Sequence, residues 1–158
     1  MKKVLFIASE GGHLAQLLQL KPLFQEYESF LVTEKDKSTK DLKQRFSKFA
    51  QVFYLPHVRK TNFISYNFQR ICLLIASIFL FFRIRPDFVI STGSITGVFM
   101  CYLAHIFHKK VIYFETFASI KKPSHAGKLV YKIADRFYVQ WESMKQFYPK
   151  AIFIGSLY

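Results

Sequence analysis

Short, continuous apolar runs punctuate this chain at regular intervals, and polar stretches of helical period separate them. Val4-Leu5-Phe6-Ile7-Ala8 is apolar at every position, the mark of a strand buried on both faces. Ser29 to Thr33, Gln51 to Leu55, Phe88 to Ser91, Val111 to Phe114, Phe137 to Val139 and Ile152 to Ile154 predict six more strands. Between them, Leu14, Leu17, Leu18 and Lys21 repeat at helical spacing up to Pro22, which ends or restarts that helix. Asp36 to Phe49 predicts a polar helix with Leu42, Phe46 and Phe49 on one stripe. An apolar helix is expected from about Thr96 to Phe107, another helix over Lys128 to Ala134, and a helical turn over Ser143 to Phe147. Strands alternating with helices predict a doubly wound, mostly parallel α/β sheet of Rossmann type in one domain spanning 1–158. Right-handed crossovers then bring Ala8, Ser91 and Glu115 to one edge, where such sheets bind ligands.

One segment breaks the alternation. Ile71 to Phe82 is almost wholly apolar and is bracketed by Arg70 and Arg83. These 12 residues would extend only about 18 Å as a helix, against roughly 30 Å of bilayer hydrocarbon. Upstream lie Asn67, Gln69 and Arg70, which are costly at mid-membrane depth. Two other readings are a core helix behind the sheet and a monotopic helix half-sunk in a membrane surface. The absence of a polar stripe favours the monotopic reading. The membrane-associating segment is then 63–85, with Leu74, Ile78 and Phe81 as its apolar contacts. Arg59, Lys60, Arg70, Arg83 and Arg85 form a basic collar, each worth on the order of 1 kcal/mol near an anionic surface.

Charge sharpens this picture. Lys and Arg number 23 against 10 Asp and Glu, a net charge of +13 that suits an anionic partner: nucleic acid, an acidic membrane surface or a phosphorylated substrate. Apolar residues make up 51% of the 158, with 19 Phe and 9 Tyr, so the chain is no disordered tail. Cys72 and Cys101 lie in apolar runs without metal-ligand spacing, as small buried residues of a reducing compartment do. The apolar run after Lys3 is too short for a secretory signal, which places the chain in the cytoplasm or on the membrane's cytoplasmic face.

Three strand-end turns carry candidate chemistry. Glu10-Gly11-Gly12-His13 opens a helix after the first strand, and its glycines let backbone N–H groups approach a phosphate closely. It lacks the third glycine of a dinucleotide fingerprint and the Lys-Ser/Thr of a P-loop, so neither NAD nor ATP hydrolysis is implied and no cofactor or metal is expected. His13 either takes a proton from a substrate or caps the turn. The second turn, Ser91-Thr92-Gly93-Ser94-Ile95-Thr96-Gly97, either adds donors from Gly93 and Ser94 or simply caps a helix. Glu115 closes an apolar strand at the mouth of the sheet, as a catalytic base, a sugar-hydroxyl partner or half of a salt bridge.

Gly11-Gly12-His13, Ser91-Thr92-Gly93 and above all Phe114-Glu115-Thr116-Phe117-Ala118, Tyr138-Val139-Gln140-Trp141, Tyr148-Pro149-Lys150-Ala151 and Ile154-Gly155 carry a resemblance that covers nearly the whole chain. It resembles the asparagine-linked-glycosylation fourteen (Alg14-like) family, including bacterial relatives in capsule and exopolysaccharide synthesis. The layout is also similar to the acceptor-binding half of the peptidoglycan N-acetylglucosaminyltransferase. The resemblance implies the N-terminal half of a GT-B glycosyltransferase, whose UDP-sugar site lies on a separate soluble subunit recruited by this one. It also implies a polyprenyl-diphosphate-linked sugar as acceptor. On it, Gly11, Gly12, Gly93 and Ser94 match the glycine loops, and Glu115 matches the acidic residue after the strand. Eukaryotic members begin with a membrane helix before the first strand; here the chain starts at that strand, so anchoring is expected from Ile71 to Phe82.

The expectation is therefore a peripheral or monotopic accessory subunit of a heterodimeric transferase, inactive alone, with His13 and Glu115 facing one cleft. Ending just after Ile154-Gly155, the chain is expected to need a partner for the donor sugar. Two rivals stand. A self-sufficient transferase would bind its nucleotide at the Gly11-Gly12 turn. A basic nucleic-acid-binding module would interleave its cations with exposed aromatics, whereas here they flank an apolar segment.

Overall fold

All seven predicted strands form, and they pair into one sheet. β1 (Lys3–Ile7), β2 (Glu28–Glu34), β3 (Gln51–Leu55), β4 (Phe88–Ser91), β5 (Lys110–Phe114), β6 (Arg136–Val139) and β7 (Ile152–Phe153) lie in the order β3-β2-β1-β4-β5-β6-β7. Every adjacent pair is parallel. The structure, a computed structural model, describes residues 1–59 and 62–158, so Lys60 of the expected collar lies outside the described residues.

The strand period of two divides the apolar runs between two cores. Leu5, Ile7, Val32, Val89 and Val111 face α3 (Phe63–Ile84), α4 (Ser94–Ile106) and α5 (His125–Val130). Val4, Phe6, Leu31, Val52 and Ile90 face the opposite side, where α1 (Gly12–Leu18) and α2 (Leu42–Phe46) supply Leu14, Leu17, Leu42 and Phe46. The order reverses between β1 and β4, and that switch point opens the crevice where doubly wound sheets bind ligands.

Two aspartates clamp the other edge. The Lys3 amide donates to Asp87 Oδ2 at 3.0 Å while the Asp87 amide donates to Lys3 O at 2.9 Å. Val111 and Asp135 repeat the exchange, 2.9 Å each way. Each clamp satisfies the free amide at a strand start, where the ladder has not yet begun.

Two elements depart from the sequence pattern. The helix expected over Asp36 to Phe49 breaks into a 3-10 turn, Lys37–Thr39, and the short α2. Asp36 and Thr39 close a capping box on the first turn, and α2 ends at Phe46 with Ser47 as its C-cap, so Phe49 lies beyond the helix, exposed and off the stripe. The apolar segment, in contrast, grows. Asn62 caps α3 by accepting from the Ser65 amide at 2.9 Å, and Arg85 ends it in the left-handed region at φ 53° before Pro86. The helix is 22 residues, about 33 Å, and by length and composition it could cross a membrane. Leu73, Ser77, Leu80, Phe81 and Ile84 form a buried stripe against the sheet and α4, as a core helix would, while Phe68, Ile71, Ile75 and Phe79 stay exposed on the other side. Phe81, expected to face lipid, is 3% exposed in the core, and Ile78 packs against that core.

The clamps give the fold an acid limit. The Lys3 amide, opposed by burial and helped by Lys2, Lys109 and Lys3, holds the Asp87 carboxyl below its usual range. A depressed carboxyl stabilises the fold above the unfolded value, near pH 4, and that stability is lost as pH falls through the folded value. Asp87→Asn should lower the melting temperature at pH 7 and flatten the decline below about pH 4, as read by circular dichroism melts across pH.

Candidate functional site

The β1 and β4 turns meet at the switch point and are laced together by side chains. His13 Nδ1 lies 2.9 Å from Thr92 O, and Thr92 Oγ1 donates to His13 O at 2.7 Å. An Nδ1–H donating to the Thr92 carbonyl fixes the tautomer and leaves the lone pair on Nε2, the form a general base needs. Gly93 makes this arrangement possible. Its φ of 129° disfavours any side chain, and an added Cβ would fall 2.6 Å from both His13 Cε1 and Nδ1. The imidazole thus lies over the bare glycine.

The neighbouring backbone is open. Gly11, at φ 76°, and Gly12 are exposed, and a Cβ on either would meet nothing within 4 Å. Ser94 begins α4 at φ 70°, and its Oγ is shielded without a hydrogen-bond partner among the described residues. The 13-residue α4 directs its free N-terminal amides and positive dipole end toward this point. The turn that carries Gly11, Gly12 and His13 and the turn that carries Gly93 and Ser94 therefore lie against each other at the switch point. Tyr158 reaches the same rim, with its hydroxyl donating to Gly12 O at 3.3 Å.

Glu115 does not join them. Its carboxylate is 1% exposed and points into the domain. Oε2 accepts from the Tyr148 hydroxyl at 2.7 Å, and Oε1 accepts from the Thr116 amide at 3.0 Å and the Ser119 hydroxyl at 3.1 Å. Gly127 of α5 abuts Glu115 Oε2 and Tyr148 Oη so closely that a Cβ there would overlap both. Burial, then the Glu115 hydrogen bond and charge, push the Tyr148 phenol well above its ordinary range. Around the same strand end, Gln140 Nε2 donates to Glu115 O at 2.9 Å and Trp141 Nε1 to Phe117 O at 2.6 Å. The specific sequence blocks around Glu115, Gln140, Trp141 and Tyr148 thus form one buried knot tying β5, β6 and α5. The Glu115 carboxylate thus lies within this knot, while His13 lies at the β1–β4 switch point.

Sequence reasoning missed a second cluster on the same sheet edge. Glu10 after β1, Glu34 at the end of β2 and His57 after β3 bring one donor atom each within 4.8 Å of one another. His57 Nδ1 lies 2.7 Å from Glu34 Oε2 and 3.6 Å from Glu10 Oε1. Thr96 of α4 hydrogen-bonds Glu34 Oε1. Burial, with the hydrogen bond and charge of Asp36, raises the Glu10 carboxyl, while the Ser38 amide holds Asp36 low. No local pattern announces these residues; only parallel pairing of three strands gathers them.

Comparison with known proteins follows the same lines. The model of a family described as "Oligosaccharide biosynthesis protein Alg14 like" matches residues 4–157. The UDP-N-acetylglucosamine transferase subunit ALG14 of Rattus norvegicus is 28% identical over 98% of this chain and 82% of that protein. The alg14 subunit of Schizosaccharomyces pombe is likewise 28% identical, over 98% and 82%. Among solved structures, Acinetobacter baumannii MurG superposes with a TM-score of 0.71 at 12% identity over 90% of this chain. A UDP-N-acetylglucosamine 2-epimerase from Rickettsia bellii gives 0.72 at 15% identity over 99%. The chain spans 43% and 45% of those two structures, so they report its fold.

The knot generates a test of its own. Glu115→Ala strands two buried donors, on Tyr148 and Ser119, and the part-buried Thr116 amide, and hydrogen bonds to a charged group are worth about 1.5–3 kcal/mol each. Glu115→Ala should lower stability by roughly 3 kcal/mol or more, and Tyr148→Phe by about half as much. In denaturant titrations the double variant should lose less than the sum. Unchanged midpoints would return Glu115 to a purely chemical role.

Proposed function

The chain belongs to the Alg14-like family of oligosaccharide biosynthesis proteins, and on that premise we propose that it is the acceptor-side subunit of a two-component UDP-sugar glycosyltransferase. It associates with the cytoplasmic face of a membrane, recruits a donor-binding subunit and receives a polyprenyl-diphosphate-linked sugar. The capsule or exopolysaccharide pathways of bacteria are where such a subunit works.

The observation that carries the reading is the nearness of the His13 crevice to an apolar helix face. Outside its buried stripe, α3 exposes Phe63 and Ile64 (82% each), Phe68, Ile71, Ile75 and Phe79 (78%), with Phe82 beside them. A row of that size on a water-soluble surface is rare and marks an interaction site. A groove of about 410 Å³ lies between this helix, the first turns of α4 and α5, lined by Tyr66, Arg70, Ile95, Val98, His125 and Leu129. The guanidinium of Arg70 stacks near Tyr66, and its Nε has no hydrogen-bond partner among the described residues. A lipid-borne diphosphate approaching along this groove meets Arg70 and then the amides and glycines at the start of α4.

At the crevice, His13 takes the proton from the acceptor hydroxyl as that oxygen attacks the anomeric carbon of the donor sugar, and the bond from that carbon to UDP breaks with UDP leaving into the partner's site. The Thr92 carbonyl stabilises the imidazolium that forms. The partner holds the UDP-sugar, which fits relatives named as subunits, and the exposed Ile152-Phe153-Ile154 edge supports docking of another protein there. The basic surplus serves acidic lipids and diphosphate. The Gly11-Gly12 turn serves the acceptor in this reading; in the self-sufficient alternative it would hold the donor nucleotide.

Membrane attachment is tested by flotation with anionic vesicles. The wild type should float and resist high salt, whereas Phe68→Ser, Ile75→Ser and Phe79→Ser together should leave it in the soluble fraction. A soluble wild type would assign the apolar face to a protein partner.

Catalysis is tested by steady-state transfer with the reconstituted pair. His13→Ala should lower kcat by roughly 10²–10⁴-fold, the usual contribution of a general base, with KM nearly unchanged. Wild-type turnover in that variant would place the base on the partner, and robust transfer by this chain alone would overturn the two-component reading.

A further inference from the structure

We propose that Glu10, Glu34 and His57 form a binding site for a divalent first-row metal ion at the end of β1, β2 and β3. Three adjacent parallel strands each deliver one ligand, so the site is built on the rigid part of the fold. One carboxylate oxygen from each glutamate and one imidazole nitrogen lie within 4.8 Å of one another. Bonds of about 2.0–2.2 Å to a metal would set such donors some 3–3.5 Å apart, which small side-chain rotations reach.

Two donor atoms are shielded from water and lack an aligned hydrogen bond, although charged neighbours lie beside both. Glu10 Oε2 and His57 Nδ1 have no hydrogen-bond partner among the described residues. The 2.7 Å approach of His57 Nδ1 to Glu34 Oε2 is therefore close without being aligned. Glu34 is 4% exposed, and Thr96 hydrogen-bonds its Oε1, the kind of outer contact that orients a ligating carboxylate and leaves Oε2 to the metal. Charge points the same way. In a chain of +13, Asp36 stands beside Glu10 as a third carboxylate, faced by Arg59 at 3.9 Å, so this corner is locally anionic and attracts a cation.

Two carboxylates and one imidazole select Mn²⁺ or Zn²⁺ over a thiolate-seeking metal, and three protein ligands leave coordination positions for water or a substrate oxygen. Glu10 immediately precedes the open Gly11-Gly12 turn, so a bound cation would turn the anionic end of that turn into one that accepts phosphate oxygens. The site needs nothing from the transferase reading.

The test is calorimetric titration of the chelator-treated full chain in detergent with MnCl₂ or ZnCl₂, together with the spin-resonance signal of bound Mn²⁺. Wild type should bind one equivalent and melt at a higher temperature when loaded. His57→Ala and Glu10→Gln, each checked for a native circular dichroism spectrum, should weaken that equivalent by roughly 10-fold or more and lose the thermal shift. His108→Ala, at the opposite end of α4, should keep both. Glu10 is half-exposed, so Glu10→Gln carries the test if His57→Ala misfolds. No equivalent bound at millimolar metal, or equal binding in wild type and Glu10→Gln, overturns the site and leaves the cluster a contact between side chains.

Discussion

Exclusive parallel pairing is the constraint on which the rest of this structure depends. A parallel strand cannot be reached by a tight hairpin, so each connection must cross back along a face of the sheet, here by helices and short helical turns. Every turn that leaves a strand's carboxyl end therefore emerges along one edge, and every turn that enters emerges along the other. The first edge collects His13, the two glycine turns and the Glu10–Glu34–His57 cluster. The second collects the aspartate clamps. The turns at the carboxyl ends and the aspartate clamps are thus separated by the length of a strand, which lets the first edge carry unsatisfied groups without loosening the sheet.

The strands were legible because burial on both faces leaves continuous apolar runs, and runs such as Val4 to Ala8 have few alternative conformations to explain them. Helix limits were less legible, since they depend on caps more than on apolarity. Asn62 starts α3 well upstream of Ile71, through Asn67, Gln69 and Arg70, which a count of apolar residues skips. Asp36 and Thr39 act in the opposite sense and divide what the stripe of Leu42, Phe46 and Phe49 had joined.

The functional edge shows the same division between local and distant signals. Gly11, Gly12, His13, Gly93 and Ser94 could be read because the glycines and hydroxyls sit directly after strands. Glu115 could be placed at a strand end, but its side-chain direction depends on Tyr148 and Ser119, which arrive from later elements. The blocks around Glu115, Gln140, Trp141 and Tyr148 supply the partners of one buried carboxylate, which binds these distant stretches into one unit. Glu34 and His57 carried no local signal at all, because their meaning lies in register: β2 and β3 pair Glu34 with Leu55, which sets His57 just beyond the same end.

The two-faced character of α3 has a mechanical consequence. Its buried stripe fuses the helix to the domain, while its outer row of phenylalanines and isoleucines lies along a single line. A body attached to a surface along one line keeps one freedom, rotation about that line, like a door on its hinge. Were the domain held to a surface in this way, such a swing would change the height of the His13 turn above it and its offset from the line, while its position along the line stayed fixed. A second body bound to the domain would set the angle of that swing, so assembly and alignment become the same event.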